Sequence, residues 1–146
     1  MKEIILCIIS LLVGFFLGLI KERKNIKYKN YRGLCDKAIN IFTEIKNEIN
    51  YNHRDCVDII LKYLQKTDQI VDEILIKICR IKASSLKKAY SQYKRPKNNS
   101  VIIDICLSPY NWNEKKFLEY NNPPHGIKNG KELAIYNIKQ ITKILK

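Results

Sequence analysis

The sequence predicts an all-α protein: a single N-terminal transmembrane helix followed by a small cytoplasmic helical bundle. Three observations lead there. Ile4 to Ile20 run for seventeen positions without a charge, and a basic run follows at once. From residue 31 onward, apolar residues recur three or four apart, the spacing of helices with one buried face. Short breaks rich in Asn, Pro and Gly separate these blocks. The expected division is a transmembrane anchor with a basic juxtamembrane arm at 1–30 and a helical domain at 31–146.

The opening segment comes first. Seventeen helical residues rise roughly 26 Å against a hydrocarbon core of ~30 Å. The stems of Lys2 and Lys21 make up the difference by snorkelling. A buried core helix is rarely apolar on every face for this length. A cleaved signal peptide would end in small residues, whereas this run ends Leu17-Gly18-Leu19-Ile20-Lys21. A retained anchor is therefore expected. Lys21, Arg23, Lys24, Lys27, Lys29 and Arg32, opposed only by Glu22, follow the span. The positive-inside bias then places the C-terminal part in the cytoplasm, with the basic arm against anionic lipid headgroups. Gly14 and Gly18, one turn apart, form a shallow face suited to a helix–helix contact in the membrane.

Residues 31–51 place Leu34, Ala38, Ile41/Phe42, Ile45 and Ile49 on one helical face. No proline separates this helix from the anchor, so the two are expected to run together. A second helix fits 54–65, with Val57, Ile60, Leu61 and Leu64 inward. Thr67 or Asp68 is then the expected cap of a third, whose stripe is Ile70/Val71, Ile74/Leu75, Ile78, Ile81, Leu86, Ala89/Tyr90 and Tyr93. KRPKNNS at 94–100 reads as a loop. The β-branched run 101–107 fits either a strand or a buried helix; with no partner strand in sight, helix is preferred. Asn111 with Glu114 has capping spacing for a short helix carrying Trp112, Phe117, Leu118 and Tyr120. A loop with two prolines and two glycines, 121–130, leads to a final helix at 131–145.

Reactive chemistry is sparse in the pattern. His53 and His125 fall in expected loops, away from cysteines or carboxylates at ligand spacing. Phosphate-cradling and nucleophile-elbow motifs are absent. Asp55 and Asp58 suit a helix start, where carboxylates favour the macrodipole. Five cysteines, at 7, 35, 56, 79 and 106, stand singly. No C-x-x-C pair suggests zinc or redox work, and reduced thiols are expected, with Cys35 and Cys56 at apolar positions of helical patterns. No enzyme activity, cofactor or metal is expected. The net charge of +13 favours anionic partners. Lys82, Lys87, Lys88, Lys94, Arg95 and Lys97 cluster near Tyr90 and Tyr93, a pattern that can hold nucleic acid. The tyrosines share the apolar stripe of Leu86, however, so core or interface roles are the simpler reading.

The order of one N-terminal span, basic arm and then EIKNEINYNHRDCVDIILKYL resembles the stage III sporulation protein AB family of endospore-forming bacteria. In that family a helix ending Glu-Ile-x-Tyr leads into a second amphipathic helix. Glu48, Ile49 and Tyr51 stand at those positions here. The chain diverges where Asp55-Cys56 replaces the family's Pro-Leu step, and it lacks the family's usual C-terminal membrane helix. Gly126 and Asn129 stand where the family carries a Gly-x-x-Leu-Gly-x-Ser-Asp motif. The resemblance implies a bundle like the cytoplasmic domain of type II secretion F proteins. It also implies a non-enzymatic, membrane-anchored scaffold in the secretion-like complex of the mother-cell membrane facing the forespore, with a cytoplasmic ATPase among its partners. On that reading Trp112, Phe117 and Tyr120 are the candidate partner-binding patch.

Two other classes compete with it. One is a small self-associating single-pass membrane protein of phage or mobile-element origin, paired through Gly14 and Gly18 as a homo-oligomer. The other is a membrane-tethered nucleic-acid binder.

Overall fold

The computed structural model describes residues 2–51, 55–95, 107–117 and 124–146, with side chains in the first helix described from Ser10. The described elements are helical: α1 (Lys2–Tyr51), α2 (Cys56–Lys77), α3 (Arg80–Lys94), a 3-10 turn (Ser108–Asn111), α4 (Glu114–Phe117) and α5 (Gly130–Leu145). Two compact units divide the chain, Met1–Gly33 and Leu34–Lys146.

In the first unit α1 is continuous, as the absence of a proline predicts, but the expected transmembrane anchor finds no support in it. Among the described residues no helix is long and apolar enough to cross a membrane. The physical reason lies in where charge begins. The uncharged run Ile4–Ile20 rises about 26 Å, short of a ~30 Å hydrocarbon core. Lys21, Glu22, Arg23, Lys24 and Lys27 then follow on the same helix. The expected transmembrane anchor is thus overturned.

The second unit is a bundle. The face of α1 predicted from spacing is buried: Cys35, Ala38, Ile41, Phe42, Ile45 and Ile49 all point into the core. From α2 come Ile59, Ile60, Tyr63, Ile70, Val71 and Ile74, and from α3 Leu86, Tyr90 and Tyr93. The face of α5, Leu133, Ala134, Ile138, Ile141 and Leu145, packs chiefly on α3 and on the 3-10 turn. Each fully buried Ile, Leu, Val or Phe among them, taken from water, contributes roughly 1.5–3 kcal/mol.

Thr67 and Asp68 do not start a helix. The chain stays helical from Cys56 to Lys77 and breaks instead at Ile78 and Cys79, both extended. Thr67 is fully buried; its hydroxyl donates to the Leu64 carbonyl at 2.9 Å, the back-bond that lets a threonine sit inside a helix. Asp68 is held by Lys94 at 2.8 Å instead of capping. Asn111 likewise serves another element: its Oδ1 accepts from the backbone N–H of Val57 at 3.3 Å, in the first turn of α2. Asp55, the residue before α2, makes no side-chain cap.

At α5 the cap is local. Asn129 accepts from the Glu132 N–H at 3.0 Å, and Glu132 reaches back to accept from the Lys128 N–H at 2.8 Å. Gly130 follows at a close crossing. Its N–H donates to the Trp112 carbonyl at 2.9 Å, and a β-carbon there would collide with the carbonyls of Pro109 and Tyr110. The run 101–107, apart from buried Leu107, lies outside the described residues.

Candidate interaction surfaces

The interior of the bundle is aromatic and hydrogen-bonded except at the buried Tyr93 hydroxyl, which has no partner among the described residues. Phe42 meets Tyr93 edge-on at 5.6 Å, Tyr93 stacks on Tyr90 at 5.8 Å, and Tyr110 lies 6.4 Å from Tyr93. Tyr110 donates to the Tyr93 carbonyl at 2.8 Å, and the buried Asn137 amide donates to the Tyr110 hydroxyl at 2.9 Å. The Tyr90 hydroxyl lies 2.9 Å from Asp68 and 3.0 Å from Thr67, tying α3 to α2. Burial raises the Tyr90 and Tyr93 phenols above their ordinary range. Tyr90 and Tyr93 are therefore core residues, as their stripe position with Leu86 suggests, and offer no stacking platform for bases.

The motif positions separate into different environments. Glu48 faces α2: Tyr63 donates to it at 2.5 Å and to Glu44 at 2.8 Å, while Lys62 closes an ion pair with Glu48 at 2.7 Å. The hydrogen bond to Glu48, then burial, raises the Tyr63 phenol. Ile49 is in the core, whereas Tyr51 is 84 % exposed at the end of α1. The three residues do not form one site. Glu48 clasps two helices and Ile49 packs beneath it.

Gly14 and Gly18 stand in the exposed part of α1, with open space where a β-carbon would go. Of the aromatic patch, Phe117 is buried, Trp112 is half-buried, and Tyr120 lies outside the described residues. Phe117 offers its surface to the core. His125 is exposed in a turn that Gly126 closes with a φ of 84°, and His53 lies outside the described residues. Cys35 and Cys56 are buried free thiols and Cys79 is an exposed one. Desolvation pushes the Cys56 thiol up to about 12. Among the described residues, no three His, Cys, Asp or Glu side chains gather as a metal ion would require.

Three surfaces stand out. The first is the α1 stretch with Leu11 71 %, Phe15 63 %, Phe16 60 % and Leu17 61 % exposed. The second is a cleft of about 400 Å³ between α1 and α2. Leu34, Ile41 and Ile70 give it an apolar lining, and Lys37, Asn40, Lys66, Gln69 and Glu73 a polar one. The third is the α2–α3 turn, where Ile76 and Ile81 are 84 % and 82 % exposed. Sequence reasoning placed Ile81 on the buried stripe and passed over Ile76. Its signal was available: Ile76 is out of phase with Ile70, Ile74 and Leu75.

Comparisons with protein-family models, with curated proteins and with solved structures found no match.

Proposed function

We propose that the chain is a non-enzymatic scaffold subunit of a stage III sporulation secretion-like complex, working at the inner surface of the cell membrane and binding a cytoplasmic ATPase. The observation that carries the reading is the apolar length of α1. Leu11, Leu12, Val13, Phe15, Phe16 and Leu17 are all more than half exposed, on every side of one helix. A surface of that kind marks a contact with protein or lipid. The basic residues that follow it in sequence, Lys21 to Arg32, suit anionic headgroups.

The bundle supplies the second half of the proposal. Its α1–α2 cleft has an apolar lining with charged residues beside it, the anatomy of a small protein-binding surface. With Phe117 turned inward, this cleft replaces the aromatic patch as the place where a partner helix seats. The motif residue Glu48 supports the same surface from below by clasping α2 through Tyr63 and Lys62.

The test is affinity capture from sporulating cells with the full chain as bait. Recovery of an ATPase together with other stage III proteins, reduced several-fold by Lys66→Glu at the exposed edge of the cleft, is expected. Recovery of phage structural proteins, or of no ATPase, would refute the reading.

A further inference from the structure

We infer that the α2–α3 turn is a membrane-inserting tip that takes an anionic lipid surface. The inference rests on the membrane location proposed above, and it names the part of the bundle that meets the lipid. Between buried Ile74 and buried Leu86, eleven successive residues contain none that is buried. That stretch nevertheless carries Leu75, Ile76, Ile78, Cys79 and Ile81. Ile76 and Ile81 lie nearly as open as side chains can, at 84 % and 82 %. The turn itself has no glycine or proline; Ile78 and Cys79 pass through it in extended conformation. Two isoleucines so placed gain nothing from the fold.

Charge selects the partner. From Ile74 to Ile103 the sequence has eight Lys or Arg and no Asp or Glu. Lys77, Arg80, Lys82, Lys87 and Lys88 are exposed on the two helices that meet at the turn. A second copy of this +13 chain would be repelled. Nucleic acid would satisfy the lysines but leave the isoleucines in water. An anionic bilayer surface satisfies both, with headgroups for the cations and an acyl boundary for the apolar side chains. The turn is also well placed within the bundle. Glu73 of α2 and Leu34 of α1 line one cleft, so the turn lies at the end of the bundle where Leu34 begins it.

Fluorescence of the full chain tests this directly. Wild type has one tryptophan, Trp112, which sets the background. Ile76→Trp adds a reporter at an exposed site and leaves the core untouched. With phosphatidylglycerol-containing vesicles brominated on the acyl chains, the added emission is expected to shift blue and be quenched. Zwitterionic vesicles should give a much weaker effect. Ile76→Ser with Ile81→Ser should lower affinity for the anionic vesicles on the order of tenfold or more. If vesicles hold the chain while the residue-76 reporter stays unquenched, the tip assignment fails and the membrane location stands. If anionic vesicles do not hold the chain at all, both fail. Full affinity in the double-serine chain would also overturn the tip, leaving an acidic protein or nucleic acid as the partner of these lysines.

Discussion

Gly130 is where the bundle has no room for a side chain. The carbonyls of Pro109 and Tyr110 occupy the space of its β-carbon, and both are backbone atoms of a tight turn. Gly130→Ala should therefore cost about 2–3 kcal/mol, read as a lowered urea midpoint at unchanged slope. Cys56 gives a pH signature. Its buried thiol is raised from an ordinary 9.0 to about 12, so above pH 9 the unfolded chain releases a proton that the folded chain keeps. Stability from this group is complete below pH 9 and is lost as pH climbs toward 12. Tyr63, Tyr90 and Tyr93, raised likewise, act in the same direction from about pH 10. A chain with Cys56→Ala should show a shallower loss of melting temperature across that window. Thiol labelling followed by mass spectrometry should find Cys79 modified in the folded chain, with Cys35 and Cys56 protected until denaturant is added.

At the scale of elements, caps decide boundaries. Asn129 and Glu132 close a reciprocal cap on α5, and Asn129→Ala should cost about 1 kcal/mol, visible as a lowered melting temperature. The amphipathic stripes of α1 and α5 were legible in the sequence because their partners lie on one side, so every third or fourth residue is apolar. The length of α2 was not. Thr67 and Asp68 have the chemistry of a cap, but one bonds back to Leu64 and the other pairs with Lys94, 26 residues away. That pairing exists only once α3 has folded against α2. Asn111 is the mirror case, a residue with local capping spacing whose side chain instead serves Val57 across the bundle. The break at Ile78 and Cys79 has no glycine, proline or side-chain cap to announce it.

For the whole molecule, the all-α character was readable and the membrane-spanning helix was not upheld. Seventeen uncharged residues invite that reading. That run rises about 26 Å before Lys21, short of a ~30 Å hydrocarbon core, and among the described residues no helix is long and apolar enough to cross a membrane. The functional surfaces were the least legible. Trp112, Phe117 and Tyr120 drew attention by residue type, yet Phe117 fills the core, while the exposed isoleucines of the α2–α3 turn sit among lysines that read as an ordinary solvated face. What remains constant across both levels is a helix whose apolar side chains from Leu11 to Leu17 stand exposed. A photoreactive phenylalanine analogue at position 15, irradiated in sporulating cells, asks directly what covers it. Cross-links to lipid or to subunits of a stage III complex are predicted. A chain that stays uncross-linked and monomeric after irradiation would contradict the account.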